Sequence, residues 1–284
     1  MSEFQKKKKQ GEKNQNPIVS IIMPAWNAEK TIQDAIRSVI KQTESNWELI
    51  VIDDYSEDET YKRIRWFAAR DNRIRIYRNP VNLGVSKTRN RGVKVAKGKW
   101  IAFLDSDDIW RADKLEKQLC IIEQKKNVDL VYTGSVFMRG WEQSENNRSR
   151  EKTNFILSYY QKAPKTITYK ELLKQNLISC SSVVVKKELL MKYPMKQDIM
   201  HEDYATWLEI LRAGGKACGI NEPLLIYRIS GKSRSGDKRR AAQMTWRVYR
   251  FLGLHLWEAC YYFGWYVCKN GKKYFHINHS KYFS

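Results

Sequence analysis

The sequence predicts an α/β fold in which one mostly parallel sheet, doubly wound in the Rossmann manner, carries helices on both faces. Three observations predict it. Segments reading as strand, helix, strand, helix, strand follow one another from Ile18 to Tyr77, the order that builds a parallel sheet. The first of them, Ile18 to Met23, is apolar except at Ser20, as a strand covered on both faces must be. Three strands also stop at residues unusual for plain turns: Pro24–Asn27, Asp53–Ser56 and Asp105–Asp108. In open sheets of this kind ligands gather beyond the carboxyl ends of the strands, so all three clusters are expected to face one crevice.

Taken in order, MSEFQKKKKQGEKNQN (1–16) has no apolar core and reads as a disordered basic leader rather than a signal peptide. The first strand is expected to break at Pro24. Ile32, Ala35, Ile36, Val39 and Ile40 fall at helical spacing and predict the first helix. Leu49–Ile52 is the second strand, Glu59–Arg70 the second helix, and Ile74–Tyr77 a short third strand. Gly84 to Asn90 reads as a loop entering a helix. It carries Lys87, Arg89 and Arg91, cations that suit an anion beside helical amides. GVKVAKGKW (92–100) lacks the spacing and the Ser or Thr of a P-loop, which sets aside a P-loop nucleotidase.

Trp100 to Leu104 is too short for a helix and ends in Asp105, Asp107 and Asp108. Side chains alternate along an extended chain, so Asp105 and Asp107 project to one side and repel unless a cation lies between them. A hard ion such as Mg²⁺ or Mn²⁺ suits those oxygens and leaves positions for phosphate. An acidic turn capping the next helix would look the same in isolation. The two other clusters at strand ends tell against it.

The composition points the same way. A net charge of +21 implies an anionic partner, whether nucleic acid, anionic lipid or a phosphorylated substrate. The five cysteines are scattered and form no CxxC pair, so neither a zinc site nor a disulfide framework is suggested and a reducing compartment fits.

VSIIMPAWN, ELIVIDDYSEDET, NLGVSKTRN and WIAFLDSDDIW, in that order, closely resemble the family 2 glycosyltransferases of GT-A fold, over about residues 17–230. The resemblance implies a nucleotide-diphosphate sugar donor, a Mn²⁺ or Mg²⁺ ion and inversion at the anomeric carbon. It implies that Pro24, Ala25 and Trp26 line the base and ribose pocket, with Trp26 standing where the family usually has Tyr. By the same resemblance Asp54 accepts a hydrogen bond from uracil, Asp105 touches the ribose, and Asp107 holds the metal. Arg89 falls near the phosphates, beside Thr88 where Ala is usual. Glu202 and Asp203 read from the residues alone as helix-start acids favoured by the dipole. The resemblance makes Asp203 the general base that takes the acceptor hydroxyl's proton. Basic surroundings are expected to keep Asp203 ionised.

Leu115, Leu119 and Ile122 predict a helix and Val128–Tyr132 a strand. Phe137–Thr166 reads as a loop over the acceptor side. Thr168–Gln175 is a short helix, and Cys180–Lys186 and Leu224–Tyr227 are strands. The basic stretch RISGKSRSGDKRR (228–240) reads as a phosphate lid or a solvated linker. The sequence thus divides into the leader, a catalytic domain over 17–236 and a tail over 237–284. The tail crowds Trp, Tyr and Phe beside Lys269, Lys272, Lys273 and Lys281. Aromatics outnumber aliphatics in it, the balance of a membrane interface. The tail is therefore expected either to dock on an anionic membrane surface or to pack on the domain, and a chain ending near Asp237 is expected to keep its domain folded.

The expected activity is transfer of a hexose or hexosamine from a UDP-sugar to a lipid-linked or cell-envelope glycan, at the cytoplasmic face of the membrane. Two other classes are weighed. A nucleotidyltransferase acting on sugar phosphates normally opens with a glycine-rich loop after its first strand, where this chain has PAWNAEK. A nucleic-acid-binding protein would explain the charge, but no nucleic-acid motif is present.

Overall fold

The sheet is built outward from β1 (Val19–Ala25), buried at every residue. β1 pairs in parallel with β2 (Trp47–Asp53) on one side and β4 (Trp100–Phe103) on the other, while β3 (Ile74–Arg78) extends β2. The remaining strands are β5 (Ile109–Trp110), β6 (Leu130–Arg139), β7 (Ile156–Gln161), β8 (Thr166–Ile167), β9 (Val184–Lys186) and β10 (Ala217–Arg228). The sheet runs β3-β2-β1-β4-β9-β6-β10-β5, with β7 on β6 and β8 on β10. β9 is antiparallel to both its neighbours, and β6 and β10 are parallel to each other. The structure, a computed structural model, describes residues 16–139, 156–196, 198–229 and 238–279. Residues 1–15 of the leader, the stretch 140–155 and most of the basic stretch 228–240 fall outside the described residues.

Two cores sandwich the sheet, because alternate residues of each strand face opposite ways. Ile22, Ile50, Ile101 and Phe103 pack with α7 (Glu202–Arg212) and α8 (Lys238–Phe251). Ile21, Met23, Leu49 and Ala102 pack with α1 (Ile32–Ile40), α2 (Thr60–Ala68) and α4 (Lys114–Gln124). Each helix contributes the apolar face its spacing provides; in α1 it is Ile32, Ala35, Ile36 and Val39. The short α5 (Tyr169–Lys174) is closed by a reciprocal capping box between Thr168 and Glu171. The other helices are α3 (Val85–Val95), α6 (Lys187–Lys192) and α9 (Leu256–His279).

The structure corrects four expectations. β1 does not break at Pro24 but continues to Ala25. Even-numbered residues of β1 point their backbone groups toward β4, whose last bond is Leu104 N–H to Ile22 O. Pro24 lies one step beyond it, where no ladder donor is needed. Part of the expected loop 137–166 is sheet, since β6 reaches Arg139 and β7 pairs with it. Cross-strand rings hold that pairing, with Phe137 at 5.8 Å from Tyr159 and 5.0 Å from Tyr227. Cys180–Ser182 is a 3₁₀ turn, so only Val184–Lys186 of that run is strand. Lastly, α8, which the sequence reading assigns to the tail, packs into the core of the domain. Ala241, Met244, Val248 and Tyr249 are buried, and the Tyr249 hydroxyl donates to Leu173 O at 2.7 Å. A chain ending near Asp237 would strip that side of the core, so it is expected to unfold.

Candidate active site

The parallel register aligns the strand ends: Ala25 lies opposite Asp53, Asp53 opposite Arg78, and Ile22 opposite Phe103. The loops that follow therefore leave one edge of the sheet. Two non-glycine residues there hold left-handed backbone, Asn27 at φ 46° and Tyr55 at φ 65°. Such conformations persist only where surrounding bonds impose them. Here Asn27 N–H donates to Ser56 Oγ at 3.0 Å, and its side-chain oxygen accepts from Glu57 N–H at 3.0 Å. Pro24 and Ala25 are buried in the strand, whereas Trp26 is 58% exposed beside the crevice. A cavity of about 670 Å³ opens next to these loops, lined by Tyr55, Ser56, Glu57, Arg78, Asn79 and Pro80.

Asp54 is buried and knits the next loop. Its Oδ1 accepts from Asn79 Nδ2 at 2.6 Å and Leu83 N–H at 2.9 Å, and its Oδ2 from Gly84 N–H at 2.9 Å. Gly84 has φ 84°, and a Cβ there would sit 1.9 Å from Asp198 Oδ2. Only glycine fits, because both the backbone conformation and the space require it. Asp198 caps α3 from 112 residues away, accepting from the Ser86 amide at 2.9 Å and from the Ser86 hydroxyl. One turn on, Asn90 exchanges two hydrogen bonds with the backbone of Met195, at 2.7 and 3.0 Å. The first half of α3 thus clamps the segment that leads into α7.

Arg89 stands at the centre of this arrangement and is only 4% exposed. One terminal nitrogen bonds Asp105 Oδ1 at 2.5 Å, the other Glu202 Oε1 at 2.6 Å. Its Nε has no hydrogen-bond partner among the described residues. A single guanidinium therefore joins the end of β4 to the start of α7. Its own charge is secured by Asp105 and Glu202, which overcome its burial.

The other acids behave differently. Asp107 is half-buried and in no ion pair among the described residues. Burial, reinforced by the charge of Asp105, pushes it up to about 6 against the pull of Arg228 and Arg89. Asp108 is buried at the end of a turn closed by its N–H on Asp105 O, and accepts from Arg228 N–H at 3.2 Å. Burial and the two neighbouring carboxylates push it well above the usual range, and its Oδ2 has no partner among the described residues. At α7, Glu202 is buried on Arg89 while Asp203 stays partly exposed, its Oδ1 accepting from Tyr204 N–H at 2.7 Å. Burial and then Glu202 push Asp203 up to about 7, against Arg89. The expectation that basic surroundings keep it fully ionised is thus corrected. Among the described residues the cation acting on it is Arg89, which is already shared with two other carboxylates.

No group of three or more His, Cys, Asp or Glu side chains is placed to hold a metal among the described residues. At most Asp105 and Asp107 converge, and Asp107 is in no ion pair among the described residues. That donor set fits a hard divalent ion whose remaining positions are filled by phosphate oxygens, the manner in which Mg²⁺ is usually held.

A family model described as glycosyl transferase family 2 matches residues 20–192. The chain belongs to glycosyl transferase family 2. TuaG of Bacillus subtilis, whose name ties it to teichuronic acid biosynthesis, is 36% identical over 261 residues, 92% of this chain and 98% of its own. The Escherichia coli UDP-Glc:alpha-D-GlcNAc-diphosphoundecaprenol beta-1,3-glucosyltransferase WfgD is 40% identical over 234 residues, 81% of this chain and 85% of its own. Among solved structures, the mannosyltransferase PcManGT of Pyrobaculum calidifontis, in complex with GDP-Man and Mn²⁺, superimposes with a TM-score of 0.63. It is 16% identical and covers 88% of this chain and 70% of its own. The fold is therefore GT-A, as the four motifs imply, and neither the nucleotidyltransferase nor the nucleic-acid reading is favoured.

The family match stops before Glu202 and Asp203. Of the residues singled out from sequence, Arg89 and Asp105 are in contact, and Asp203 adjoins Arg89's second partner. Asp54 joins them only through the α3 loop. Glu202 as a tie, and Asn90, Ser86 and Asp198 as a clamp, were not foreseen. Only the acidic neighbour of Asp203 offered a signal, since contacts more than 100 residues apart leave no local pattern.

Proposed function

We propose that this glycosyltransferase moves a hexose or hexosamine from a UDP-sugar, with inversion, to a hydroxyl of a lipid-linked or cell-envelope glycan. The observation that carries the reading is the Arg89 bridge. It sets a partly exposed carboxylate of near-neutral proton affinity, Asp203, beside the loop bearing Asp105 and Asp107. WfgD and TuaG support a nucleotide-sugar donor and an envelope acceptor for this chain by similarity.

The roles follow from the placement. Trp26, exposed and aromatic, stacks on the nucleobase, with Pro24 and Ala25 forming the floor beneath it. Asp54 uses its remaining acceptor capacity toward the base while its other bonds fix the Leu83–Gly84 amides. Asp105 orients the ribose. Asp107, with Asp105 beside it, holds Mn²⁺ or Mg²⁺. When bound, the ion offsets charge on the departing diphosphate. Arg89 keeps Asp105 in register with α7 rather than reaching the phosphates itself. Asp203 accepts the proton of the acceptor hydroxyl as its oxygen attacks the anomeric carbon. The bond from that carbon to the diphosphate oxygen breaks with its electron pair leaving on UDP. The acceptor being lipid-linked, the enzyme works as a peripheral protein at the anionic cytoplasmic face of the membrane. No described helix is long and apolar enough to cross a membrane.

The test is UDP release from a panel of UDP-sugars, with and without an undecaprenol-diphosphate-linked GlcNAc acceptor. Acceptor-stimulated, metal-dependent release from at least one UDP-sugar is expected. Failure with every UDP-sugar, alongside release from a GDP- or TDP-sugar, would overturn the donor assignment.

A further inference from the structure

α9 has two unlike faces. Inward, Ala259 is buried in the core, and Phe263 meets Trp246 of α8 edge-on at 5.5 Å. Outward, Trp257, Tyr261, Gly264, Trp265 and Cys268 recur at spacings of three and four, so they form one stripe along the helix. Trp257 is 71% exposed, Tyr261 52% and Trp265 40%, and no charged residue interrupts the stripe. Cations stand at its margin. Lys174 of α5 and Lys269 lie 5.3 and 5.8 Å from the Trp265 ring.

We propose that this stripe is the docking face for an anionic lipid surface, with its rings at the interface and the flanking cations among the headgroups. It rests on the reading of the chain as a transferase with a lipid-linked acceptor, and names the surface that brings it there. Trp and Tyr, with an apolar body and a polar edge, are the side chains that settle at this depth. Lysines beside them add attraction to anionic lipid, and their stems reach past the rings. A second copy fits this face less well. A two-fold pairing with the stripes parallel would bring Lys174 and Lys269 of each copy against one another.

The experiment is sedimentation of the full chain with vesicles of phosphatidylcholine plus phosphatidylglycerol, or of phosphatidylcholine alone, at low and high salt. The protein binds the anionic vesicles, less in high salt and less on neutral lipid. The triple change Trp257→Ser, Tyr261→Ser, Trp265→Ser lowers partitioning at least about tenfold. Lys174→Gln with Lys269→Gln weakens binding to the anionic vesicles alone. Both variants retain the wild-type melting temperature and UDP-sugar hydrolysis, because none of these side chains enters the site. Wild-type protein that ignores anionic vesicles, or a triple variant that binds as wild type, overturns the proposal. So does a wild-type dimer in gel filtration that the triple change renders monomeric. Absence of UDP-sugar hydrolysis by wild type would defeat the donor assignment, while the vesicle result would still decide the face.

Discussion

The acids after β4 and the acids opening α7 meet the same cation and divide in the same way. Asp105 and Glu202 are each bonded to Arg89. Asp107 and Asp203, two residues and one residue further along, are not, and each has a raised proton affinity, near 6 and near 7. In both places burial is the largest cause and the tied neighbour's charge the next. The comparison teaches a division of labour. The carboxylates tied to Arg89 join strand end to helix start, and the two with no ion pair among the described residues are those proposed for the chemistry. An acid fully neutralised by a guanidinium is a poor base and a poor metal ligand. An acid left beside that pair is neither.

The comparison breaks most visibly at Asp107. Asp107→Ala removes the untied carboxylate from the diphosphate side. Activity is expected to vanish along with metal-dependent UDP binding, while the melting curve stays cooperative. Undiminished Mn²⁺-dependent UDP binding, read by calorimetry, would reassign the metal to Asp105. Next in size is Arg89→Met, which strands Asp105 and Glu202 without their shared cation. Removing one partner of a buried ion pair costs about 3–5 kcal/mol. Urea denaturation of this variant should show a loss of that order, and Glu202→Gln in the same background should recover part of it. A change below about 0.5 kcal/mol, the level of an ordinary surface substitution, would mean the bridge does not organise the site.

A smaller effect separates function from stability. The ordinary value of Asp203 is 3.8 and its folded value about 7, so the folded protein binds more protons between those pH values. Stability contributed by this group is therefore present at low pH and lost as pH rises through about 7. Asp203→Asn removes that loss and should raise the melting temperature at pH 8 by about 2–4 °C for each kcal/mol regained. It should change the melting temperature little at pH 4. A variant less stable than wild type at pH 8 would show that Asp203 serves the fold.

How much of this was legible beforehand depends on distance along the chain. The strand ends, their motifs and the helical spacings of α1 and α4 lie within a few residues of one another, and local periodicity exposes them. The continuation of β1 through Pro24 could not be read, because it depends on β4 ending one step earlier on the facing side. β7 was masked by the polar stretch before it. Arg89 was picked out as a cation near phosphates, yet its partners Asp105 and Glu202 lie 16 and 113 residues away. Composition marked the C-terminal aromatics as one block. Burial divides them into a core helix, α8, and a half-exposed one, α9, and composition holds no information on that division.

The most direct measurement is acceptor-dependent kcat for Glu202→Gln and Asp203→Asn side by side, with UDP binding followed by calorimetry and both rates taken across pH. Asp203→Asn should lose roughly 10²–10⁴ in kcat with UDP binding intact. Glu202→Gln should stay within about tenfold of wild type. Its acid limb should shift to lower pH, because the charge that raises Asp203 has gone. The reverse ranking, with Glu202→Gln inactive and Asp203→Asn nearly unimpaired, would contradict the division of labour across Arg89 on which the account rests.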